Sequence, residues 1–111
     1  MVKIKSEFSE PFILKNLVSY HKGSIVSKTI EDKKTGTVTV FAFDTGQKLS
    51  EHKAPFNAIV YLVEGEGEFI VGGKKHLLKA GEILIMPKNI PHSVNAKKRF
   101  KMMLVMIRGY S

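Results

Sequence analysis

Turn signals recur along this chain at short intervals, and the runs between them are apolar and rich in β-branched residues. Gly23, Gly36, Gly46, Gly65, Gly67, Gly72, Gly73 and Gly81 punctuate it, and Pro87 and Pro91 bracket one more loop. No segment keeps a helical period over three turns. Runs this short bury a face best as strands of one curled sheet. The pattern predicts roughly eight to ten short strands in an all-β barrel or sandwich.

The strands follow from the punctuation. Residues 1–16 form a lead-in in which Pro11 bars a long helix, and 16–20 is a short strand or one helical turn. Gly23–Glu31 alternates Ile25, Ser27 and Thr29 against Val26, Lys28 and Ile30, as a half-buried strand does. Residues 32–36 (DKKTG) make a hairpin turn, with Gly36 available for a positive φ, and Thr37–Asp44 is the next strand. Ala58–Val63 is apolar on both faces. The run 64–68 (EGEGE) is expected to break it before the chain resumes to Val71. Gly72-Gly73 is a two-residue hairpin signal. Lys74–Lys79, Ile83–Met86, His92–Ala96 and Phe100–Arg108 complete the set, with a loop from Pro87 to Pro91.

The length of 111 residues allows one domain with one core, 1–111, divided into a lead-in at 1–22 and a barrel core at 38–108. Several strands are apolar on both faces. One face must look into the barrel and the other must meet a second sheet or a second subunit, and a chain this short has little material for a second layer. A homodimer is therefore expected, with the last strand or the N-terminal segment among its contacts. The absence of cysteine excludes disulfides and thiolate metal sites. No run reaches the length of a membrane span, and the N-terminal segment MVKIKSEFSEPF lacks the apolar core of a signal peptide, so the expected location is cytoplasmic.

The formal net charge is +8, carried almost wholly by lysine; Arg99 and Arg108 are the two arginines. Base readout and bidentate phosphate capture favour arginine, and no ladder of aromatics accompanies the lysines. Nucleic-acid binding ranks last among the functions considered, behind a solvated lysine surface.

Of the four histidines, His21 and His76 read as solvated residues. His52 and His92 each follow a glycine-marked turn, and both are expected to open strands that converge inside the barrel. Here the chain resembles the cupins. Gly46, five residues, His52, and Gly65 further on match the first cupin motif; Ala54 stands where its second histidine belongs and Ala58 where its glutamate belongs. Gly81, Pro87 and His92 match the second motif, with Asn89 in place of a glycine and Ala96 in place of an asparagine. Asparagine also tolerates positive φ.

The resemblance implies a double-stranded β-helix, or jelly-roll barrel, of the small single-domain type, commonly dimeric. Relatives of the RmlC-like kind often hold Zn, Ni, Mn, Fe or Cu on three histidines and a glutamate. Only His52 and His92 remain of that set. If the motif register holds, Ala54, Ala58 and Ala96 point inward with Val60 and Val94, giving a cavity wider and more apolar than a standard cupin site.

Two imidazoles bind a divalent ion weakly without a third donor, for which Gln47, Asn57, His21 and His76 are candidates. No paired carboxylates, nucleophile elbow or triad appears, and the sequence leaves open whether the chain is an enzyme. Phe41, Phe43, Phe56, Tyr61, Phe69, Met86, Phe100, Met102 and Met106 read mostly as core, with Phe56 and Met86 nearest the histidines. The first reading is a module that binds a small molecule in an apolar cavity at His52, His92, Phe56, Ala54, Ala58 and Met86. The alternative is a metal-dependent dioxygenase or isomerase with His52 and His92 as an incomplete ligand set.

Overall fold

A computed structural model describes residues 9–108 and the backbone of residues 2–3; the rest of the predicted 1–111 domain lies outside the described residues. Among the described residues there are nine strands: β1 (Val2–Lys3), β2 (Ile25–Lys33), β3 (Gly36–Phe43), β4 (Lys48–His52), β5 (Asn57–Val71), β6 (Lys74–Lys79), β7 (Ile83–Met86), β8 (His92–Asn95) and β9 (Phe100–Ile107). They curl into a jelly-roll barrel of mostly antiparallel strands. One half runs β1-β2-β3-β9-β5-β7 and the other β4-β8-β5-β6, so β5 belongs to both.

The expected break at 64–68 does not occur. β5 continues for 15 residues. Its first half lies between β9 and β7, and its second between β6 and β8. The pairing with β9 slips between Leu62 and Glu64, and Gly65 sits at φ 78°. A β-bulge and a left-handed glycine bend a strand without ending it, which carries one strand from one half of the barrel to the other. Gly36 also departs from expectation. It opens β3 instead of supplying a positive φ, and a side chain there would run into the Met106 carbonyl. Gly72 and Gly73, at φ 58° and 81°, form the primed turn that the sequence predicts.

Alternation along the strands sorts the two faces. Phe43, Leu62, Phe69 and Phe100 are fully buried inside the barrel, and the Phe43 and Phe100 rings stack at 4.6 Å. Each such side chain stabilises by roughly 1.5–3 kcal/mol relative to exposure. Outside, Val40 and Ala42 of β3 are covered by Val18, Leu14 and Leu17 of the N-terminal segment, whose 3-10 turn spans Leu14–Asn16. Polar contacts fasten that segment. The Tyr20 hydroxyl donates to Glu64 at 2.7 Å, and Lys101 donates to the Lys15 carbonyl at 2.7 Å while lying over the Tyr20 ring. Burial, reinforced by Glu64, pushes the Tyr20 pKa up.

Among the described residues, the rest of that outer face is half-buried to exposed. Ile59 pairs with Ile85 and Val105, and Tyr61 with Ile83 and Met103, so these side chains share one side. Ile83, Ile85 and Ile107 are 62%, 56% and 51% exposed.

Candidate functional site

The site begins with an irregularity in β4. Leu49 lies across from Val94, and His52 across from His92. Three residue steps on β4 thus match two on β8. In a regular ladder Glu51 would share the face of Leu49; the extra residue turns His52 to that face instead. His52 closes β4, a correction to its expected place at the opening of a strand, whereas His92 does open β8. The loop after β7 sets the other wall. Asn89 adopts φ 62° and its N–H donates to the Ala54 carbonyl at 2.7 Å, while the Lys88 N–H donates to the Asn57 side chain at 2.9 Å.

The two rings are held alike. Nδ1 of His52 lies 2.8 Å from the Ser50 carbonyl, and Nδ1 of His92 lies 3.2 Å from the Ile90 carbonyl. Their Nε2 atoms are 3.1 Å apart, with the rings steeply inclined at 71° and centroids 4.3 Å apart. His92 is buried, at 6% exposure, and His52 stands at the exposed rim. Burial lowers the His92 pKa; the Ile90 carbonyl opposes this and His52 adds to it.

Both histidines line a cavity of about 190 Å³. Ala54, Ala58, Phe56 and Met86 line it as well, so all six predicted site residues fall on one surface. Leu49, Val94, Met102, Leu104 and Met106 complete the wall. Leu49 and Leu104 were not anticipated. The two-residue spacing of Met102, Leu104 and Met106 on one strand carried the signal for Leu104; Leu49 depends on the bulge. Ala96 does not line the cavity. It is fully buried in the core, its backbone tied to Gly46 and Gln47, so its small side chain does not widen the pocket. Val60 is likewise core, as are Phe43, Phe69 and Phe100, while Tyr61 lies on the outer face.

The donor set does not fit a tightly held ion. Ala54 and Ala58 offer no ligand, and Gln47, Asn57, His21 and His76 are not among the lining residues. The Asn57 side-chain oxygen is engaged by Lys88. Among the described residues no three or more His, Cys, Asp or Glu come together as a metal site. Two imidazoles alone fall short of the three protein ligands of a catalytic zinc site.

A model of the cupin domain matches residues 39–108. The chain belongs to the cupin family. Among solved structures, this cupin is similar to a conserved protein of unknown function from Streptococcus pyogenes, at 26% identity over 93% of this chain and 90% of that one, with a TM-score of 0.88. A cupin 2 conserved barrel domain protein from Leptotrichia buccalis is 41% identical over 86% of this chain, with a TM-score of 0.84. The cupin spans 47% of that protein's length. Salicylate 1,2-dioxygenase from Pseudoaminobacter salicylatoxidans, crystallised with gentisate, shares the fold at 13% identity and a TM-score of 0.70, covering 84% of this chain and 27% of that one. No curated protein matches the cupin. Among the described residues no helix is long and apolar enough to cross a membrane.

Proposed function

We propose that this cupin binds a small, largely apolar molecule in the barrel cavity, with His52 and His92 as its polar anchors. The observation that carries the reading is the composition of the wall: among the described residues, two imidazoles and otherwise only aliphatic, methionine and phenylalanine side chains around about 190 Å³. Small-molecule sites are commonly built this way, with an apolar surface for affinity and a few polar groups for orientation. A metal-dependent dioxygenase or isomerase would need a third donor, and the alanines at 54 and 58 remove it.

The test is a fragment screen by ligand-observed NMR, repeated on Ala54→Leu, which narrows the cavity from its rim. Hits that weaken in the variant and shift the methyl signals of Met102 and Met106 support the reading. Hits indifferent to Ala54→Leu, or no hits at all, would overturn it.

We also propose that a second copy covers the exposed part of the outer face. Beyond the part that the N-terminal segment covers, the register positions of that face on β5, β7 and β9 hold Asn57 and otherwise apolar residues, on a chain of net charge +8; Lys101, the lysine of this face on β9, is buried against the Lys15 carbonyl. The face continues from the part that the N-terminal segment covers, through Met103. An apolar face of this kind marks an interaction surface, and a two-fold pairing of identical faces satisfies it without another partner.

A further inference from the structure

A carbonyl oxygen only accepts hydrogen bonds. The Ser50 and Ile90 carbonyls therefore each fix a proton on Nδ1 of the ring they face, at 2.8 and 3.2 Å. A neutral imidazole carries one such proton. With both rings neutral, both Nε2 atoms are bare lone pairs, and they lie 3.1 Å apart. Flipping either ring to the other tautomer would set a lone pair against a carbonyl.

Nor can the rings satisfy one another while both are neutral. The 3.1 Å contact is within hydrogen-bonding reach, but the one proton of each ring is held on Nδ1, so neither Nε2 has a proton to donate. The rings meet at 71° with their centroids 4.3 Å apart, which sets the two Nε2 atoms obliquely to one another. A charge on His92 would also be buried. The pair thus presents two acceptors side by side on the cavity wall. Among the described residues every other lining side chain is apolar, so none of them supplies a donor.

We propose that the His52–His92 pair selects neutral ligands bearing a hydrogen-bond donor, a hydroxyl or an amino group, at one end of a small apolar body. This rests on the cavity reading above and specifies the polar end of the ligand. A carboxylate would set acceptors against acceptors. An ammonium would bring a full charge into a cavity with no carboxylate on its wall, in a chain of net charge +8. A neutral hydroxyl or amino group meets the unpaired lone pairs, and its apolar body meets Met102, Leu104 and Met106.

Four isosteres separate the outcomes: p-cresol, p-toluidine, toluene and p-toluate, titrated into the full chain at about pH 8, where ordinary imidazoles are neutral. Binding is followed on the methionine methyls and on the imidazole nitrogens by long-range proton–nitrogen NMR. The expected result is that p-cresol and p-toluidine bind about tenfold or more tighter than toluene, the worth of one net hydrogen bond. p-Toluate should not bind, and both Nε2 resonances should be of the unprotonated type and move on binding. Toluene binding as well as p-cresol would overturn the donor inference while leaving the cavity reading intact. Tightest binding of p-toluate, or a protonated Nε2 in either free ring, would show a cationic pair and overturn it as well. If none of the four reaches the cavity, the cavity reading falls and the donor inference with it.

Discussion

His52 and His92 are direct cross-strand partners, and the extra residue in β4 is what makes them so. Their burial differs sharply, which separates their contributions to stability. His92→Ala removes a buried ring and opens space beneath the loop, and should cost roughly 1–3 kcal/mol. His52→Ala acts at the exposed rim and should cost about 0.5 kcal/mol or less. Urea denaturation of both variants checks this; equal losses would show that the rings are embedded alike.

Acid should act first through His92. Its folded pKa is depressed below the ordinary value of 6.5 by burial. The unfolded chain then binds the proton more readily than the folded one. The stability is fully present above about pH 6.5 and is lost as pH falls through the depressed folded pKa. Asp44 and Glu68 are also held below the usual carboxylate range, Asp44 by the Gly23 N–H and then Arg99, Glu68 by Lys97. Their contributions are present above the unfolded carboxylate pKa and fade as pH falls through their lower folded values, in a more acidic window. Denaturation curves across pH should show a loss starting below about 6.5 that His92→Asn abolishes, leaving the carboxylate loss in place. A flat response above about pH 5 in the wild type would contradict the assignment.

Gly65 governs the path of β5. At φ 78°, any side chain is strained, and a Cβ there would strike the Arg99 carbonyl and Phe100. Gly65→Ala should cost about 2 kcal/mol or more in thermal or urea unfolding. A variant as stable as wild type would mean that the bend tolerates another backbone path.

The outer face makes a prediction about assembly. Light scattering behind size exclusion should give a dimer, and Ile85→Lys should convert it to a folded monomer, since the substitution puts a charge where Ile85 faces Ile59. A wild-type monomer at micromolar concentration would rule the pairing out.

The fold was legible because turn chemistry is local. Gly72-Gly73 turns through two positive φ values, and the strands on both sides fall where alternation puts them. The run 64–68 misled because glycines among glutamates look like a strand end, whereas Gly65 works as a bend within a ladder whose partners come from distant segments. His52 and His92 could be paired through the motif resemblance, but the bulge that aims His52 leaves no mark in five residues of β4. The small residues divided for a similar reason. Ala54 and Ala58 face the cavity, while Ala96 fills a close backbone contact with Gly46 and Gln47 that no spacing rule reveals.

The central claim is that the cavity holds a small molecule by its donor end. The most direct measurement is a crystal structure of the protein soaked with p-cresol at about pH 8, where imidazole is ordinarily neutral. The predicted result is a ring packed against Met102 and Met106 with its hydroxyl about 3 Å from both Nε2 atoms. A cavity without p-cresol at saturating concentration, or a ring seated with its hydroxyl turned away from His52 and His92, would contradict the account.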